Sequence, residues 1–133
     1  MTTFACPMFV VPVWLAVIAI TDRRTGRIPT ALVWPGVAAV AAYAAVHPVV
    51  AVAAFVTAMP YLGAALARSC GGGDVKLAFA VGGIVADPGV CLCVVLLAAV
   101  LSLITHAVGA SVPRARPHGP ALIIATICGL ALT

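Results

Sequence analysis

Residues 48–77 read PVVAVAAFVTAMPYLGAALARSCGGGDVKL. The first part, residues 48–67, holds no charged side chain and is long enough for the ~20-residue helix that crosses a hydrocarbon core. Arg68 and the run Gly71 to Gly73 then break it, and Asp74 opens the next apolar run. The same alternation of apolar run and short polar break recurs along the whole chain.

Six apolar segments follow one another at residues 4–21, 31–46, 48–67, 75–86, 89–110 and 119–133. Breaker signals separate them: Gly26 to Pro29, His47-Pro48, Gly71 to Gly73, Asp87-Pro88-Gly89, and Pro113 to Pro120. The 133 residues are 65% hydrophobic and 8% charged, where soluble domains carry roughly 25% charged residues, too little here to coat a water-soluble globule. The expected fold is all-α, a polytopic membrane helical bundle of about six transmembrane helices, with residues 1–133 as a single integral membrane domain. Proline inside the segments, at Pro12, Pro35 and Pro60, is tolerated where neighbouring helices re-satisfy the backbone. Small residues such as Ala64-Ala65 allow helices to approach closely.

The net charge of +4 does not point to nucleic acid, because no basic face or reading helix accompanies it. All seven Lys and Arg residues fall in or at the edge of the first, third and fifth gaps: Arg23, Arg24 and Arg27, then Arg68 and Lys76, then Arg114 and Arg116. If all six segments cross, those gaps share one side, and the positive-inside rule makes it cytoplasmic with both termini outside. With no basic residue before Arg23, the first segment reads as a retained span and not a removable signal. The expected location is the cell (plasma or inner) membrane, in contact with its lipids. The five cysteines, Cys6, Cys70, Cys91, Cys93 and Cys128, are odd in number and scattered, so they read as free thiols. Cys91 and Cys93 stand two apart on a helix and point to different sides, a poor metal site.

Only three carboxylates exist, Asp22, Asp74 and Asp87. Asp22 and Asp74 arrive at the same depth on the basic side, where a pair can share a proton, one activating water and the other donating. That suffices for peptide hydrolysis without a metal or cofactor. Each also has a plainer reading: Asp74 as a cap of the fourth helix, Asp22 as a surface partner of Arg23, Arg24 or Arg27. Asp87, on the opposite side before Pro88-Gly89, reads as a turn residue.

Asp22-Arg23-Arg24-Thr25-Gly26-Arg27-Ile28-Pro29 resembles the first motif of the type IV prepilin peptidase family, an aspartate at a helix end followed by Ile-Pro-Asn. Gly71-Gly72-Gly73-Asp74-Val75-Lys76-Leu77 is similar to its second motif, Gly-x-Gly-Asp-x-Lys-Leu. Gly119-Pro120 is similar to the Gly-Pro that opens the family's last helix. Thr30 stands where Asn is usual, and His118 where an aromatic residue often precedes Gly-Pro. The resemblance implies an aspartic endopeptidase with catalytic Asp22 and Asp74. Pro29, Gly71, Gly73 and Lys76 would support them. Pro29 would set the entry of the second helix. The glycines would free the backbone and let a substrate strand approach, and Lys76 would orient Asp74 or anchor the helix in the headgroups. The implied substrate is a prepilin or pilin-like protein, cut at the cytoplasmic face. Larger relatives carry Cys-x-x-Cys pairs associated with N-methylation; none occurs here, so the chain is similar to the compact form of tight-adherence (Flp-type) pilus systems, expected to cleave without methylating. The competing reading is a small proton-coupled transporter or membrane scaffold, which also places carboxylates in helices. The oligomeric state is not readable from the sequence.

Overall fold

The structure is a computed structural model that describes residues 5–68, 71–108 and 119–131. Cys70, Arg114, Arg116 and His118 lie outside the described residues. Among the described residues all regular structure is helical: α1 (Ala5–Thr25), α2 (Thr30–Ala44), α3 (Pro48–Leu66), α4 (Gly72–Val85), α5 (Pro88–Val108) and α6 (Gly119–Ala131). The six expected segments are all present as helices, but two ends move in ways that matter. α1 runs on past residue 21 to Thr25, because Arg23 and Arg24 propagate a helix well and Gly26, at φ 64, supplies the left-handed terminus. α4 starts at Gly72, before the expected residue 75, so Asp74 lies inside its first turn.

α4 is the central helix, packed against α2, α3, α5 and α6. Its approach to its neighbours depends on missing side chains. A Cβ on Gly82 would fall 2.6 Å from both Ala53 O and Thr57 Oγ1 on α3, and one on Gly83 would overlap Val40 of α2. Ala53, Ala54, Thr57 and Ala58 complete the small-residue face of α3. The hydroxyl of Thr57 donates to Ala53 O at 2.9 Å, so burial leaves it satisfied. α1 is tied to α2 by Trp14, whose Nε1 donates to Leu32 O at 2.8 Å while its ring fills the space a side chain at Gly36 would need.

Leu15 and Ile18 of α1, Leu77, Ala78 and Val81 of α4, Val94 of α5 and Leu122 of α6 share one buried cluster. The outward faces are apolar as well. Val10, Val13, Val17 and Ile20 form an exposed stripe on α1, and Val52, Phe55, Met59, Leu62 and Leu66 form one on α3. Among the described residues one helix, Pro48–Leu66, is long and apolar enough to cross a membrane by length and composition; Thr30–Ala44 and Pro88–Ile104 are shorter apolar helical stretches.

Candidate active site

Asp22 belongs to the stripe Leu15, Ile18, Asp22, spaced three and then four residues apart, and all three side chains are buried. Asp22 itself is 3% exposed, whereas its neighbours Arg23 and Arg24 face outward. The carboxylate therefore sits under the arginines and not among them. Asp22 is thus buried, and not at the surface as the plainer reading had it.

Asp74 heads the matching stripe of α4: Asp74, Leu77, Ala78, Val81. It is 9% exposed. Its Oδ2 accepts the Gly71 N–H at 3.3 Å, and its own N–H donates to Gly71 O at 3.1 Å. The helix N-terminus is thus closed by Asp74 reaching back, one half of a capping box, with Gly71 as the residue before the helix. The capping reading of Asp74 holds, and the carboxylate has a second oxygen besides the one so used.

The two stripes converge on the same core, and the turn after α1 meets the start of α4. A Cβ built on Gly73 would lie 3.0 Å from Ile28 Cβ and 3.4 Å from Ile28 O. The turn after α1, six residues beyond Asp22, therefore packs against the residue that precedes Asp74 on α4. The turn between α1 and α2 is tightly tied. Gly26 N–H donates to Asp22 O at 2.7 Å. Thr25 Oγ1 lies 2.8 Å from Thr21 O and 2.8 Å from Arg27 O, donating its single proton to one at a time. Pro29 precedes the first residue of α2 with φ −63 and ψ 122, and its carbonyl accepts the Leu32 N–H at 3.0 Å. Its place at the entry of α2 is as expected.

The glycines differ from expectation. Gly71 has φ −83, an ordinary value, and Gly72 and Gly73 are helical; among described glycines only Gly26 has a positive φ. Backbone freedom is not what these positions use. A side chain at Gly72 would meet nothing within 4 Å, so the steric demand falls on Gly73. Lys76 stands two residues, about 200°, around the helix from Asp74. Its Nζ lies 5.6 Å from the centroid of the Trp34 ring on α2, so Asp74 is not what it faces. Asp87 Oδ1 accepts the N–H groups of Gly89 at 2.8 Å and Val90 at 3.1 Å, capping α5 at the far end of α4.

Ile28 lies within the first motif but is not among the site residues expected from the sequence. Its signal is present in the sequence all the same. It is the one large apolar side chain between Asp22 and Thr30, and such a residue in a polar turn needs something to cover it.

Neither curated proteins nor solved structures give a match to this chain. The type IV leader peptidase family matches over residues 9–107, most of the chain, including both aspartates and the helix ends that carry them; the chain belongs to that family of peptidases.

Proposed function

We propose that this chain is an integral membrane aspartic endopeptidase that removes the leader of a prepilin or pilin-like protein at the cytoplasmic membrane face, with Asp22 and Asp74 as its catalytic pair. One observation carries the proposal. The two carboxylates end buried stripes of α1 and α4 that share one core cluster, the turn after α1 packs on the start of α4, and among the described residues the other packed faces are apolar or small. A carboxylate is costly to bury, so two at one end of a core call for a purpose beyond stability.

The reaction needs two proton movements. An ionised aspartate takes a proton from water as its oxygen attacks the scissile carbonyl, while the protonated aspartate donates to the carbonyl oxygen. Collapse of the tetrahedral intermediate breaks the C–N bond and passes a proton to the leaving amine, which restores one charged and one neutral carboxyl. Asp74 suits the base, since the Gly71 N–H and the free N–H groups of the α4 N-terminus favour negative charge there. Asp22, in the last turn of α1, suits the acid. No metal or cofactor is needed for these steps.

Membrane insertion as six spans is supported by the outward apolar stripes. Leu66 is 78% exposed, Val46 71% and Leu103 69%, surfaces that water disfavours and lipid accepts. At 14 residues α4 is about 21 Å long, short of the ~30 Å hydrocarbon core. Being enclosed by α2, α3, α5 and α6, it faces protein over most of its surface and need not match the lipid. The basic gaps then face the cytoplasm, with both termini outside. The activity proposed is cleavage without methylation.

Co-expression with a candidate prepilin from the same genome tests this. The substrate should lose the mass of its leader, and it should keep that mass when Asp22 or Asp74 is replaced by Asn. An uncut substrate with the wild-type chain correctly inserted would refute the peptidase assignment for that substrate class.

A further inference from the structure

We infer that Ile28 is a positioning residue, one that seats the α1–α2 turn on Gly73 and so sets the separation of Asp22 from Asp74; the inference rests on the catalytic pair proposed above. Three observations carry it. Ile28 is linked to Asp22 through a turn with little slack: the Gly26 N–H is bonded to Asp22 O, the Thr25 hydroxyl lies 2.8 Å from Arg27 O, and Pro29 is held at the start of α2. On the other side, Gly73 is covalently adjacent to Asp74, whose carboxylate is tied back to Gly71. Between the two stands a tight contact: a Cβ on Gly73 would come to 3.0 Å from Ile28 Cβ, inside the 3.4–4 Å of ordinary contact, so Ile28 would have to give by a few tenths of an ångström. Gly72 has no such neighbour, so the requirement belongs to this pairing and not to a glycine-rich segment as such.

Ile28 has no polar or titratable group with which to move a proton. It works through backbone placement. Two carboxylates that share protons across one water tolerate little error, and a misplacement of about 1 Å costs on the order of 100-fold in rate. A methyl on Gly73 would displace the α1–α2 turn from α4 by a few tenths of an ångström, a fraction of that distance. Removing the Ile28 side chain would leave the turn without its seat.

The test is a steric exchange: Gly73→Ala, Ile28→Gly, and the two together, with Gly72→Ala as control. The double variant removes the Ile28 side chain that a Gly73 methyl would meet, and that methyl fills part of the space left. Each protein is purified in detergent, matched for folded amount by its thermal transition, and assayed for kcat and KM on a prepilin substrate. The expected result is a kcat about threefold or more lower for each single variant, with KM within about twofold, following the positional sensitivity of proton transfer. The double variant should recover part of the loss, and Gly72→Ala should retain kcat. A merely structural contact would shift the thermal transition and leave kcat per folded molecule unchanged, which would overturn the inference. So would a double variant that loses as much as the product of the singles. If the wild-type chain leaves the prepilin uncut, the catalytic reading falls and the inference falls with it. If the wild type cuts and Gly73→Ala cuts equally well, only the inference falls.

Discussion

Asp22 and Asp74 each close the buried stripe of their own helix, Asp22 four residues beyond Ile18 and Asp74 three residues ahead of Leu77. Because Ile18 and Leu77 pack in one cluster, the two carboxyl groups finish the same core from two helices. A core that ends in two acids gives up apolar packing at that end.

Replacing either acid by its amide should therefore remove activity and spare the fold. Asp22→Asn and Asp74→Asn keep nearly the same volume but cannot exchange protons near neutral pH. Cleavage should drop by at least about 100-fold in each, the usual scale of acid–base catalysis, with unchanged protein in the membrane fraction. Asp87→Asn should cleave normally, since Asp87 caps α5 at the opposite end and Asn caps nearly as well. Normal cleavage by either of the first two variants would end the aspartic mechanism.

The central position of α4 yields a stability prediction. Gly83→Ala places a methyl group within Val40, and Gly82→Ala places one against Ala53 O and Thr57. Each should lower stability by about 1–3 kcal/mol, the usual range for overpacking. Gly63→Ala, with nothing within 4 Å, serves as the comparison and should be neutral or slightly stabilising. Thermal unfolding in one detergent reads all three. Equal midpoints across the set would mean that α4 is not packed this closely.

Much of this arrangement is legible in the amino-acid sequence. Six apolar runs with breakers between them become six helices, and three carboxylates leave few candidates for an acid pair. The helix ends at the site are harder to read. Arg23, Arg24 and Thr25 look like a polar gap, yet they continue α1 because the left-handed Gly26 sets its end one residue later. Gly72 and Gly73 are poor helix formers, so α4 reads as starting late; the Asp74 side chain on the Gly71 N–H offsets that cost locally. The contact of Ile28 with Gly73 joins positions far apart in sequence. No local periodicity encodes it, and it emerges only when α1, α2 and α4 share a core.

Topology provides a third test. A single cysteine placed at Thr25, in a chain whose native cysteines are replaced, should react with a membrane-impermeant thiol reagent only from the cytoplasmic side. One placed at Pro88 should react only from outside, because α4 separates the two ends. Reaction of both from the same side would show that α4 does not cross, and the six-span arrangement would have to be abandoned.

Lys76 offers the sharpest contrast between an orienting and an anchoring role. Residues two apart on a helix face nearly opposite ways, and here the Lys76 ammonium lies 5.6 Å from the Trp34 centroid while Asp74 turns into the core. A cation over an indole face contributes about 0.5–2 kcal/mol, depending on how far water is excluded. Its loss should thus appear as stability. Lys76→Met, which keeps the aliphatic stem and drops the charge, should lower the thermal midpoint and leave kcat per folded molecule within a few-fold. Trp34→Leu should lower the midpoint by a similar amount, and the double variant should add little, because both remove the same contact. A collapse of kcat in Lys76→Met with Trp34→Leu fully active would place the ammonium in the chemistry of Asp74, and the anchoring role would be wrong.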